Sequence, residues 1–188
     1  MTFKKFIPVS LMVAAFAALY ILAAPYLKIS TLWVPFISWP LYFIAGAKPS
    51  RLHKEIFGLA GGIIFGFLTI FFAFFSFLTS MLGSYSLAAT VFVVAFLIVM
   101  LEMTDWFELA PAYFFAFAGY FAYVYGGFAG KLTTPTDYAM AMVPFFLLLM
   151  LGLGLGLVTA FLRKKILETE GVYGKDQETV FDKENRQM

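Results

Sequence analysis

Apolar positions run through this chain in long blocks that no charge interrupts. The blocks cover residues 6–27, 29–47, 56–101, 109–130 and 138–162. A bilayer core of about 30 Å takes about 20 apolar residues to cross as a helix. The 56–101 block is therefore two helices, and it is expected to break at the turn-like cluster Gly83-Ser84-Tyr85-Ser86. The pattern predicts an all-α integral membrane protein with six transmembrane helices. Their approximate spans are 6–27, 29–47, 56–78, 85–103, 107–129 and 136–162, followed by a charged tail over 163–188. Open strands are excluded, because unpaired backbone groups are too costly in lipid. The first block is longer than a signal-peptide core and is read as a retained crossing.

The basic residues orient the bundle. Six crossings put both ends on one side. That side carries Lys4, Lys5, Lys48, Arg51, Lys54, Arg163, Lys164 and Lys165, whereas the other carries Lys28 and Lys131. The positive-inside rule then places both termini in the cytoplasm, and an odd number of crossings would destroy the asymmetry. Helix starts are legible too. Thr134-Pro135-Thr136-Asp137 has the cap, proline and acid of a helix N-terminus. Asp105 to Glu108 has the same logic ahead of the fifth span. Ser50 is a candidate cap for the third, whose first turn holds His53 and Glu55. The tail is expected to extend the last helix briefly and then fray.

Spans two and five, and spans three and six, look related. Span two contains Pro35, Pro40 and Tyr42-Phe43; span five contains Pro111 and Tyr120-Phe121. Each is followed by a glycine-rich span, with Gly58, Gly62 and Gly66 in one and Gly152 and Gly156 in the other. Three helices per half is an odd number, so the halves would run in opposite directions as a 3+3 inverted repeat, a plan common in transporters. Glycines four apart make a flat helix face for close packing. Prolines inside spans kink helices and free backbone groups.

Composition narrows the chemistry. The chain has 188 residues, a mean hydropathy of +0.89 and 62% hydrophobic residues. Twelve of its 24 Lys, Arg, Asp and Glu residues fall in the last 26 positions, so the membrane part is nearly free of charge. No segment is long enough for a soluble domain. There is no Cys and one His, which excludes disulfides, thiol catalysis and multi-His metal sites. We find no catalytic constellation, expect no enzyme activity, cofactor or metal, and see no signature for nucleic acid. Glu102, Asp105 and Glu108 cluster between spans four and five, where they serve either as helix ends or as a cytoplasmic vestibule. His53, beside Arg51 and Lys54, reads as a surface histidine or a pH sensor. Trp33, Trp39 and Trp106 fall near the expected interfaces. Tyr42, Tyr113, Tyr120 and Tyr123 put hydroxyls within apolar spans, where they need partners. With Pro35, Trp39, Pro40 and Pro111 they are the candidate lining of a path.

The stretch Ile37-Ser38-Trp39-Pro40-Leu41-Tyr42-Phe43, the loop Lys48-Pro49-Ser50-Arg51 and the glycine-rich helix after it resemble the YcdZ-like family of small bacterial inner-membrane proteins. Pro111-Ala112-Tyr113-Phe114, with Phe121 beyond, is similar to that family's second half. The resemblance covers about residues 30–160. The chain departs from it at Pro40, where the family has Ala, and in its high Phe content. The resemblance implies a multi-pass protein of the bacterial inner membrane and no chemistry, because the family's function is unknown. The expected function is a channel or facilitator for a small neutral or weakly polar solute, such as an amide, urea-like molecule or weak acid, without ion coupling. The expected partners are the lipid bilayer, the solute and further copies in a homo-oligomer. The alternative is a non-transporting scaffold or accessory subunit that docks a cytosolic protein through its tail.

Overall fold

A computed structural model describes residues 2–178, and among these the chain is helical without strands. The helices are α1 (Phe3–Ala23), α2 (Pro35–Ile44), α3 (Leu52–Phe74), α4 (Phe77–Leu82), α5 (Ser86–Leu101), α6 (Ala110–Tyr125) and α7 (Pro135–Thr169). The helical stretches Phe3–Ala23, Pro49–Phe74, Phe77–Leu101 and Pro135–Thr169 are long and apolar enough to cross a membrane. The third of these comprises α4 and α5, joined by the 3-10 turn Gly83–Tyr85. Gly83 takes a positive φ of 54° there, so the expected turn cluster kinks one crossing rather than separating two. The separation falls earlier, at Phe75 and Ser76, where the Ser76 hydroxyl accepts from the Leu78 amide, 3.1 Å away.

The second and fifth apolar blocks form shorter helices than the sequence suggests. α2 has 10 residues and α6 has 16, about 15 and 24 Å at 1.5 Å per residue. Residues 24–34 are non-helical, yet Ala24, Thr31 and Val34 are buried. Residues 25–28 are exposed, so only part of this irregular backbone is enclosed in the bundle, as membrane depth requires. α7 is longer than expected, at 35 residues. Its start matches the sequence reading: the Thr134 hydroxyl accepts from the Asp137 amide, and the Asp137 carboxylate accepts from the Thr134 amide at 2.8 Å. The other two expected caps do not form. Ser50 lies inside the 3-10 turn Pro49–Arg51, and α6 starts after Leu109 with no side-chain cap.

The core lies where α3 packs on α6 and α2 packs on α7, the two most extensive helix contacts in the molecule. These pairs exchange under one operation that maps α1 onto α5, α2 onto α6 and α3 onto α7. The same operation maps the α1–α7 contact onto the α3–α5 contact, and leaves the α3–α7 and α2–α6 contacts on themselves. That is the contact pattern of a 3+3 inverted repeat in which each half lends its second helix to the other half's third.

The glycines set this pairing. A Cβ on Gly62 would strike the Tyr113 carbonyl and come within 2.8 Å of Ala116 Cβ; on Gly66 it would come within 2.9 Å of the Tyr120 ring. In the other half, a Cβ on Gly152 would strike Pro35 and Ser38, and on Gly156 it would come within 2.8 Å of Tyr42 Cβ. Gly62 and Gly152, Gly66 and Gly156, and Thr69 and Thr159 stand at one constant offset. Ser38 and Ala116, Trp39 and Phe117, and Tyr42 and Tyr120 stand at another. The repeat therefore holds residue by residue at the closest contacts. Overpacking such a contact costs about 1–3 kcal/mol or more where backbone blocks the new group. We expect Gly62→Val and Gly152→Val to lower the unfolding midpoint of the detergent-purified protein markedly. Gly154→Ala, which meets nothing within 4 Å, should leave it unchanged.

Candidate functional site

The interface between the halves holds the polar groups of the membrane part. α7 meets α2 through two side-chain bonds. The Ser38 hydroxyl donates to the Leu149 carbonyl at 2.6 Å, and the Trp39 indole N–H donates to the Thr159 hydroxyl at 2.9 Å. Thr159 in turn donates back to the Leu155 carbonyl at 2.7 Å, as Thr69 does to Phe65 at 2.8 Å. Gly152 lies about three turns before Arg163, roughly 16 Å along α7, or about half a bilayer core. α2 begins beside Gly152, so it is a half-length helix whose N-terminus lies near the membrane midplane.

Beyond that level, away from the basic residues, the interface is closed by rings. Phe145 is fully buried. Its ring lies 5.2 Å from Tyr123, 5.9 Å from Tyr120 and 6.4 Å from Trp33. Trp33 also meets Phe128 edge-on at 5.6 Å. The Tyr120 hydroxyl donates to the Tyr138 carbonyl, which ties this plug to the start of α7. Trp33 Nε1 is buried and has no hydrogen-bond partner among the described residues.

At the position equivalent to Phe145, the other half carries Glu55. It is fully buried on the glycine-bearing face of α3, and neither carboxyl oxygen has a partner among the described residues. Tyr42, the equivalent of Tyr120, and Arg51, one turn earlier, are its electrostatic neighbours. The Arg51 guanidinium is turned elsewhere, donating to the Ala45 carbonyl and to Glu108 at 3.3 and 3.4 Å. Beside Arg51 opens a cavity of about 510 Å³. Phe43, Lys48 and Arg51 wall it from the α2–α3 side, Arg163 and Lys164 from α7, and Glu178 from the tail. The tail segment folds back here: Val172 is buried with Leu167 and Val9, and Arg163 donates to the Gln177 carbonyl at 3.3 Å.

Pro35, Trp39, Tyr42, Tyr113, Tyr120 and Tyr123 are all buried in the core, and the structure brings them into the two helix pairs. Tyr113 covers Gly61 and Gly62 rather than facing open space. Pro40 and Pro111 are exposed; Pro111 sits in the first turn of α6, where its missing N–H breaks no helical bond. Of the three acids between spans four and five, Glu102 and Asp105 are exposed. Glu108 pairs with Lys54 at 2.7 Å and Arg51 at 3.4 Å. The mouth beside α2 is thus basic, and the acids lie outside it. His53 stacks edge-on against Trp106 at 5.4 Å. Among the described residues no group of acids and histidines could hold a metal ion.

Sequence reasoning passed over Glu55 and Trp33. A signal for Glu55 existed: residues 55, 59, 62 and 66 share one helical face, so the acid lies on the face that the glycines mark as inward. Trp33 carried no such signal, because it lies outside a helix.

A family match spans residues 10–164. The chain belongs to DUF1097, a protein family of unknown function. No curated protein and no solved structure matches it. The matched region of this DUF1097 protein contains both helix pairs, the aromatic plug and Glu55, and stops short of the folded-back tail.

Two measurements probe the site's scaffold. Thr159→Val removes the acceptor of a buried indole N–H, and a buried donor left unpaired costs about 1–3 kcal/mol; the variant should unfold correspondingly earlier in a denaturant titration. The hydrogen bond from Lys54 holds the Glu108 carboxyl below its ordinary value of 4.5. A depressed acid stabilises the fold above its ordinary value and loses that contribution as pH falls through the folded one. The Lys54–Glu108 coupling in a double-mutant cycle should therefore be present at neutral pH, small at about 0.2–1 kcal/mol for so exposed a pair, and should vanish as pH falls below the ordinary carboxylate range.

Proposed function

We propose that this DUF1097 protein is a membrane facilitator for a small neutral or weakly polar solute, with its path along the interface between the two inverted halves. The observation that carries the reading is the contrast between the two ends of that interface. One end opens into a cavity of about 510 Å³, and the other is shut by Phe145 and the rings around it. A bundle built only to pack has no need of a half-length helix starting at midplane depth. Broken helices at that level are how many transport proteins present polar groups to a substrate. The two halves meet through glycine faces and a few hydroxyl bonds, contacts that can slide or rock without stranding a buried ion pair. A rocking of one half against the other would close the basic mouth and part the plug.

The excess of Lys and Arg at the open end supports a cytoplasmic mouth and cytoplasmic termini. The resemblance to YcdZ-like proteins supports the bacterial inner membrane. Docking of a cytosolic protein through the tail draws less support from its described part, since Val172 and Gln177 contact the chain's own bundle; residues 179–188 lie outside the described residues.

Reconstitution tests the proposal. Proteoliposomes shocked with an inward gradient of urea, acetamide or glycerol should re-swell faster than empty vesicles. Phe145→Ala, which thins the plug, should raise that rate severalfold. Rates equal to those of empty vesicles for every small neutral solute, with the variant included, would sink it.

A further inference from the structure

Two buried polar groups in the membrane part lack hydrogen-bond partners among the described residues, and they are complementary. Trp33 Nε1–H is a donor; the Glu55 carboxyl oxygens are acceptors. Burial without a partner is costly for both, and more so for an acid. Polar groups kept in this condition inside a membrane bundle mark a pathway more often than a packing need. Their placement follows the internal symmetry. Trp33 packs on Phe145, and Glu55 occupies the position equivalent to Phe145 in the other half. One unpaired group therefore stands on each side of the midplane, both carried by the first half, Trp33 beside the second half's Phe145 and Glu55 at the equivalent of Phe145. Arg51, a neighbouring cation, makes no bond to Glu55; its guanidinium donates to Ala45 and Glu108.

We propose that Trp33 and Glu55 are successive recognition points for a solute that carries both a carbonyl oxygen and an NH2 group, an amide or a urea. The Glu55 carboxyl accepts from the solute's N–H bonds near the basic mouth, where two parallel bonds to one carboxyl are available. The Trp33 indole donates to the solute's carbonyl oxygen inside the plug. A urea aims its N–H bonds one way and a strong carbonyl acceptor the opposite way; a polyol's hydroxyls are weaker acceptors without that arrangement, and a cation offers nothing for Trp33 to donate to. The inference rests on the facilitator reading and adds the substrate class to it.

The test pairs flux with binding. Trp33→Phe keeps the ring and deletes the donor; Glu55→Leu deletes the acceptors and also removes a buried acid, so it should melt no lower than the wild type. In proteoliposomes the wild type should pass urea and acetamide faster than glycerol and methylammonium. Each variant should cut the amide rates about tenfold, the effect of losing one hydrogen bond of ordinary strength, and leave the glycerol rate unchanged. Equal loss for all solutes, no loss, or a loss confined to methylammonium would overturn the assignment. If wild-type vesicles pass none of these solutes, the facilitator reading fails, and binding still decides the inference. Protein labelled with 15N-tryptophan is titrated with acetamide in detergent, the Trp33 indole resonance being the one missing in Trp33→Phe. A saturable shift of that resonance supports Trp33 as one of the two recognition points. No shift overturns it.

Discussion

Everything in this molecule depends on how closely two glycine faces let their partners approach. α3 presents Gly58, Gly62 and Gly66 to α6; α7 presents Gly152 and Gly156 to α2. Lipid tails are as apolar as leucine, so there is no hydrophobic gain in bringing helices together inside a bilayer. Contact area and a few hydrogen bonds must supply the attraction, and both need near approach of backbones. With a side chain at Gly152, Pro35 and Ser38 could not sit where they do. The 2.6 Å bond from Ser38 to Leu149 and the Trp39–Thr159 bond would then be lost together. Because each half's second helix packs on the other half's third, these contacts also hold the halves to each other.

The repeat is symmetric in packing and asymmetric in chemistry. Tyr120 and Tyr42 occupy equivalent places, yet the first meets the ring of Phe145 and the second neighbours the carboxyl of Glu55. One end is thereby dry and ring-filled, while the other carries a buried acid behind a basic mouth. The halves differ in length as well. α6 has 16 residues and begins three before the level of Gly62, whereas α2 has 10, begins at the level of Gly152 and is preceded by the non-helical residues 24–34. In the facilitator reading proposed above, the two ends of the path would therefore present different chemistry to a solute.

The basic end is organised by pairing as much as by charge. Lys54 and Arg51 share Glu108, which pulls the loop before α6 onto the start of α3. The same Glu108 accepts from Arg51, the cation that neighbours the buried Glu55. On the opposite wall, α7 runs past the membrane boundary, and the segment after Thr169 returns to cover Leu167 and reach Arg163.

The sequence by itself determined what depends on one segment at a time. Charge-free blocks made the chain a membrane protein, Thr134 and Asp137 started α7, and glycines four apart marked the inward faces of α3 and α7. These are local properties, legible because a helix repeats every 3.6 residues and a bilayer has a fixed thickness. Only the tertiary structure decided that α2 stops short and that Pro40 and Pro111 face outward. It alone showed that Tyr113 fills the space over Gly61 and Gly62, and that the Glu55 carboxyl and Trp33 Nε1 are buried without hydrogen-bond partners among the described residues. Each of these depends on what another helix brings to the contact. A segment's own pattern carries its face but not its neighbour, so an acid in a first turn reads as solvated until the packed bundle shows it fully buried.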